Sequence, residues 1–287
     1  GLGVCPVPEG DSVYQLARRL RFVEGCEVTH TSIRVPNYAV ASFDGARCSR
    51  VWPYGKHLFM QFDEQILHTH LKMEGTWAFH PAGTRWKKPG YTARVVLRLR
   101  SQALAARGFD EVELVGHSLG FVKVYDAAEL EGHTGHLGPD VLGTQWESQG
   151  RDEAVRRVLA RPERSVGAAL MDQTNLAGIG NEYRAEICFL CGVHPETTVA
   201  AVGKAGVDKL VDTSRALMWA NKDSPLRVTT GVRRPGENAY VFGRYSKPCR
   251  RCGALIEKST LGGDDPLAPG ELERIIWWCP RCQPLLG

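Results

Sequence analysis

Four cysteines near the end of the chain constrain it most. Cys249 and Cys252 form one C-x-x-C pair, and Cys279 and Cys282 form a second. Each pair can present two thiolates to one ion, and two such knuckles complete a tetrahedral sulfur site, the ligand set of structural Zn2+. All four positions would be filled by protein, so this one metal ion would hold a fold together and leave no open coordination position for chemistry. The segment between the pairs is long for a simple hairpin, and residues 262–270 read as an insertion at its tip. Cys188 and Cys191 share the spacing but sit in a helical pattern with no matching pair, which reads as core packing. Cys5, Cys26 and Cys48 carry no pattern. An odd total of nine, with two metal-type pairs, argues against a disulfide framework.

The 287 residues are enough for two domains. Apolar residues at 43% and charged residues at 24% describe a packed chain and exclude a disordered or fibrous one. No run approaches the ~18 apolar residues of a membrane span, and the first residues lack the basic start and apolar stretch of a secretory signal. A helix is expected over residues 11–22, with Val13, Leu16, Ala17 and Leu20 on one face and Asp11 as its cap. Strand patterns follow at residues 51–54, 56–62, 66–71, 91–99, 111–115 and 121–125, with few helical patterns between them, which favours an antiparallel sandwich or barrel. The pattern changes in the Gly- and His-rich residues 132–150 and turns helical from Arg151, at 166–171, 187–190 and 207–220. The basic residues Arg227, Arg233, Arg234, Arg244, Lys247, Arg250 and Arg251 face the single acid Glu237 just before the zinc pattern. Such a run is ordinarily a solvated face, and its place beside the zinc pattern favours a phosphate-contacting surface.

Two motifs are set aside. Gly116-His117-Ser118-Leu119-Gly120 matches the nucleophile elbow of serine hydrolases, but a strand pattern follows it where a helix is required, so a tight hairpin turn is expected. Gly178 and Gly180 lack the preceding strand and third glycine of a dinucleotide site.

Several segments, in order, resemble the formamidopyrimidine-DNA glycosylase and endonuclease VIII family, most of all its actinobacterial endonuclease VIII branch. They are Pro8-Glu9-Gly10-Asp11, Gly55-Lys56-His57, His70-Leu71-Lys72-Met73-Glu74-Gly75, Met171-Asp172-Gln173 through Gly178-Ile179-Gly180-Asn181-Glu182, and Trp278-Cys279-Pro280-Arg281-Cys282. The resemblance implies an α+β multidomain fold: an N-terminal antiparallel β-sandwich, and a C-terminal helical helix–two-turn–helix domain with a zinc-finger β-hairpin. The expected divisions are an N-terminal extension at 1–7, the catalytic sandwich at 8–130, a linker at 131–150, the DNA-binding helices at 151–240 and the zinc hairpin at 241–287. The implied function is a bifunctional DNA glycosylase and AP lyase of base excision repair, monomeric and in the bacterial cytoplasm at the nucleoid. Its partner would be double-stranded DNA with oxidised or abasic sites, with no membrane partner.

The resemblance also assigns roles. Pro8 would be the nucleophile, since an α-amine with a pKa of about 7.7–8.0 is partly neutral at physiological pH. Glu9 would move protons. Lys56 would hold a phosphate, Met73 would fill the space left by the extruded nucleotide, Asn181 and the backbone N–H groups around Gly178 and Gly180 would meet a phosphate, and Arg274 would clamp the phosphates flanking the lesion. The chain departs from the family pattern with Ile276 in place of a threonine, with the stretch 262–270, and with no Arg-Arg-Phe-Gly at residues 116–120, which points to oxidised pyrimidines as substrates. Seven residues precede Pro8, and inside a Val7–Pro8 peptide bond its nitrogen lone pair is delocalised. A mature chain beginning at Pro8 is therefore expected; the alternative is a non-catalytic, damage-binding paralogue with Pro8 blocked.

Overall fold

A computed structural model of the chain describes residues 7–261 and 275–287. The chain forms two compact units, Val13–Gly135 on one hand and Gly1–Ser12 with His136–Gly287 on the other. Helix α1 (Gly10–Arg19) starts in the second and runs into the first.

Eight strands build the Val13–Gly135 unit: β1 (Glu27–Ile33), β2 (Cys48–Tyr54), β3 (His57–Phe62), β4 (Gln65–His70), β5 (Thr76–Pro81), β6 (Ala93–Arg100), β7 (Val112–His117) and β8 (Phe121–Asp126). Short helices α2 (Gln102–Ala106) and α3 (Leu130–Thr134) fill connections. The strands pair antiparallel in two four-stranded sheets ordered β1-β6-β7-β5 and β2-β3-β4-β8. In β6, Val95, Leu97 and Leu99 are buried while Arg98 and Arg100 face water, the period-two alternation of a half-buried strand. These residues join Phe43, Leu58, Met60 and Phe62, with Val13, Leu16, Ala17 and Leu20 of α1, in one core. The expected sandwich is present.

β1 and β5 escape the sequence pattern because they carry no buried alternating row. Only Val28 and Ile33 of β1 are buried, and no residue of β5 is. A strand bonded on one side can hold its place through the ladder without an alternating apolar row. The Gly116–Gly120 stretch is not a hairpin turn. β7 pairs with β5 and β6 whereas β8 pairs with β4, so residues 118–120 carry the chain from one sheet to the other. Ser118 takes a positive φ of 52° there, and its N–H donates to the Thr92 carbonyl at 2.7 Å. A strand follows, as a hydrolase elbow forbids.

The other unit contains α4 (Arg151–Leu159), α5 (Val166–Met171), α6 (Asn181–Leu190), α7 (Val199–Asn221, broken at Gly203) and the hairpin β9 (Glu257–Thr260) with β10 (Ile275–Trp278). Ser165 and Thr198 cap α5 and α7, each hydroxyl accepting from a backbone N–H three residues on. The turns between α5 and α6 are locked by Gln173: its amide donates to the Met171 and Ile179 carbonyls and accepts from Gly178 N–H, all at 2.9 Å. Cys188 is fully buried in α6, in keeping with core packing.

Candidate functional site

Helix α6 is preceded at its N-cap by Gly180, which has no side chain to satisfy the unpaired N–H groups of the first turn. Glu9 supplies the cap from far away in sequence. Its carboxylate, wholly buried, accepts from the N–H of Gly180, of Glu182 at 3.1 Å and of Tyr183 at 3.4 Å. A Cβ on Gly180 would lie 2.6 Å from Glu9 Cδ, so glycine is what admits the carboxylate. Gly10 N–H adds a 2.8 Å bond to the Gly178 carbonyl. The segment that carries Pro8 is thereby docked on the two-turn element. The N–H groups of Gly178 and Gly180, which the sequence offers to a phosphate, are instead committed to Gln173 and Glu9.

Beneath this contact lies an ion cluster that sequence reasoning missed. Arg227 is 3% exposed; it donates to Asp11 Oδ1 and Oδ2 at 2.6 and 2.9 Å, to Glu182 Oε2 at 2.7 Å and to Glu9 Oε2 at 3.4 Å. It also reaches the Val7 carbonyl at 3.2 Å, and the Tyr183 hydroxyl donates to Asp11 Oδ2 at 2.8 Å. Asp11 is therefore not the helix cap expected of it. Burial opposes the charge on Arg227, but Asp11, Glu9 and Glu182 outweigh it and push its pKa well up. Burial raises Glu182, with Arg227 pulling the other way. Arg227 does not belong to an exposed basic surface, and several of its basic neighbours are also structural. Arg250 donates to the Ala239 and Gly236 carbonyls, Arg244 to those of Tyr240 and Pro248, and Arg234 pairs with Glu237.

Asn181, the first residue of α6, is buried, and its side-chain carbonyl accepts from Arg184, whose guanidinium also reaches the Ile275 carbonyl at 3.3 Å. Glu186, one turn further, is wholly buried and accepts from the N–H groups of Tyr240, Val241 and Phe242 at 2.6, 2.9 and 3.1 Å. Thus α6 anchors both the Pro8 segment and the chain leading to the zinc pattern.

Lys56 and Met73 fall in the sandwich unit. Lys56 is half-buried in the two-residue turn between β2 and β3, where Gly55 has the positive φ that a tight hairpin demands. Met73 is 42% exposed at the tip of the β4–β5 connection. Gly75 closes that loop: its N–H bonds the Leu71 carbonyl at 2.9 Å, where a Cβ would have no room. His70 links the two positions. Burial, then the charges of His57, Lys72 and Lys56, lower its pKa to about 2, so it is neutral. Tyr125, His68 and His57 form a hydrogen-bonded row beside it, at 2.9 and 2.8 Å.

The four cysteine sulfurs lie within 4.8 Å of one another. Cys249 and Cys282 Sγ are 3.9 Å apart, and Cys252 and Cys279 Sγ 3.4 Å. A tetrahedral ion with bonds of about 2.3 Å needs sulfurs about 3.8 Å apart, so the set fits one metal. Backbone N–H groups of Arg251, Ala254 and Cys282 point at three of the sulfurs, as thiolates require. Ile276, the residue that departs from the family pattern, is buried in β10. Arg274 and residues 262–270 lie outside the described residues.

An antiparallel sandwich, a two-turn helical element carrying the docked N-terminal segment, and a four-cysteine hairpin together define a DNA-glycosylase type of protein. The chain belongs to the formamidopyrimidine-DNA glycosylase and endonuclease VIII family, enzymes of base excision repair that act as DNA glycosylases and AP lyases. The family's N-terminal domain matches residues 7–134 and its H2TH domain residues 137–222. The chain is similar to a probable endonuclease 8 2 of Streptomyces coelicolor, 38% identical, covering 96% of this chain and 94% of that protein. It is 35% identical to the DNA-(apurinic or apyrimidinic site) lyase Nei2 of Mycolicibacterium smegmatis, over 96% and 99%. The fold is shared with a Lactococcus lactis formamidopyrimidine-DNA glycosylase bound to DNA containing an AP site, with a TM-score of 0.76 and 19% identity over 96% and 99% of the chains. Among the described residues, no helix is long and apolar enough to cross a membrane.

Proposed function

We propose that this chain excises oxidised bases, pyrimidines foremost, from double-stranded DNA and then cuts the strand by β,δ-elimination, with Pro8 as the nucleophile. The observation that carries the reading is the docking of Pro8-Glu9 on the start of α6, beside Asn181. Nothing in an ordinary packed helix pair calls for a wholly buried carboxylate to hold a distant segment at that place. The reaction needs Pro8 as a free secondary amine. Its lone pair attacks C1′ of the sugar and the bond to the base breaks, the departing base taking a proton from solvent. The amine proton then passes by way of Glu9 to the ring oxygen as the sugar opens, which leaves an iminium between the Pro8 nitrogen and C1′. Loss of a C2′ proton expels the 3′ phosphate, and a second elimination expels the 5′ phosphate.

In this reading Lys56, Asn181 and Arg274 bind phosphates and Met73 enters the gap in the stack. Zn2+ on Cys249, Cys252, Cys279 and Cys282 holds the β9–β10 hairpin. Borohydride trapping on abasic duplex tests the reading with two chains, one beginning at Gly1 and one at Pro8. A covalent adduct mapping to Pro8 in the shorter chain is expected. Tight, salt-dependent binding with no adduct from either chain would make the protein a damage-binding paralogue.

A further inference from the structure

The sandwich unit carries a basic concavity outside the residues discussed above. It has a volume of about 590 Å³ and is lined by residues 84–90 of the β5–β6 connection. Arg85, Lys87 and Lys88 are exposed there, and among the described residues none of the three has an ion-pair partner. The connection, residues 82–92, has no acidic residue at all. The loop is nevertheless held firmly at its middle. Trp86 Nε1 donates to Glu113 at 2.6 Å, its ring meets His117 edge-on with centroids 5.8 Å apart, and the Arg34 guanidinium lies 5.5 Å above it. Three cations are thus set out around an anchored indole, so less side-chain and loop entropy is lost when they meet an anion. An unneutralised group of like charges costs self-repulsion, which a polyanion would relieve.

The position of the loop says which polyanion. Thr92 at its end bonds the His117 ring at 2.8 Å and accepts from Ser118 N–H at 2.7 Å. Two residues on, Gly120 is packed so closely on the side chain of Lys72 that a Cβ would have no room. Lys72 precedes Met73. The loop that lines the concavity is therefore linked, through the β7–β8 connection, to the loop that presents Met73.

We propose that Arg85, Lys87 and Lys88 form an accessory binding surface for backbone phosphates of the duplex on one side of the lesion. The inference rests on the DNA-directed reading of Met73 given above. Phosphate contacts of this kind carry no base specificity; they fix register and add a salt-dependent share of affinity.

The test is the salt dependence of binding to a long duplex with a central abasic analogue, comparing the full chain with R85Q/K87Q/K88Q and with the charge-conserving R85K/K87R/K88R. Each lost phosphate contact lowers the slope of log K against log salt by ~0.9. Between 50 and 200 mM salt the wild type should therefore lose about 12-fold more affinity than the neutralised variant for two contacts, and about 40-fold more for three. The charge-conserving variant should match the wild type, and shortening the duplex on one side only should erase the difference. Equal slopes for wild type and neutralised variant overturn the proposal, as does loss of binding to polyglutamate with an unchanged DNA slope, which would assign the surface to an acidic protein segment. A wild type that shows no salt-dependent duplex binding would instead remove the functional reading on which the proposal stands.

Discussion

Replacing Arg227 with methionine tests the buried cluster under the Pro8 segment. Methionine keeps much of the volume and deletes the charge. Its removal takes away the guanidinium that pairs with the carboxylates of Glu9, Asp11 and Glu182, which are 0%, 3% and 6% exposed. Breaking a buried pair from one side costs about 3–5 kcal/mol, because the remaining charge is stranded. At 2–4 °C per kcal/mol for a unit of this size, the melting temperature should fall by about 6–20 °C at pH 7. The variant's pH dependence has a definite sign. Burial already raises the pKa of Glu182 with Arg227 pulling the other way, so without Arg227 it rises further; its favourable contribution is present below the unfolded pKa of about 4 and is lost as pH rises. The gap between wild type and R227M should therefore narrow toward pH 4. Neutralising two of the acids, in D11N/E182Q/R227M, should recover part of the loss. Thermal melts followed by circular dichroism from pH 4 to 7 read all three effects. A loss at pH 7 within about 0.5 kcal/mol, as for ordinary surface changes, or a gap that widens toward acid, would refute the reasoning.

Three further outcomes follow from individual contacts. Gly180→Ala puts a Cβ 2.6 Å from Glu9 Cδ and Cγ; it should cost about 1–3 kcal/mol as an overpacking change and lower borohydride adduct yield with the zinc content unchanged, as measured by trapping and metal analysis. Cys279→Ser should abolish stoichiometric zinc, read by atomic emission, and loosen β10 and the chain leading to it while leaving the melt of the separate sandwich core in place. Burial alone would raise the pKa of Asp172, but hydrogen bonds from Thr174 and Arg164 outweigh it and hold it low. That contribution is present above the unfolded pKa of about 3.9 and lost as pH falls through the lower folded value. The stability difference between wild type and Asp172→Asn should thus shrink in acid titrations below pH ~4.

What was legible in the sequence was what local spacing encodes. The cysteine pairs, the alternating row of β6 and the apolar runs of β3, β4 and β7 depend on residues a few positions apart, and they appear where expected. β1 and β5 lack such a row: β1 buries only Val28 and Ile33, and β5 buries no residue. The start of α6 was illegible for the opposite reason: its first turns are fully packed, but with Asn181, Glu182, Arg184 and Glu186, whose partners are charges and backbone groups elsewhere. An apolar periodicity cannot report a helix that buries polar residues, and the pattern seen at 187–190 marks only its last turn.

The same distance in sequence explains why the Pro8 segment was readable as a motif but not as a structure. The glycines at 178 and 180 signal that something must approach the backbone closely, and a DNA phosphate is the obvious anion to place at a helix start. The anion found there is the carboxylate of Glu9. The consequence for chemistry is specific: the start of α6 is already neutralised from within the chain, so a DNA phosphate at this point must be met by side chains such as Asn181, whose carbonyl Arg184 already orients. The start of α6 and the Glu9 carboxylate together fix where the Pro8 segment sits.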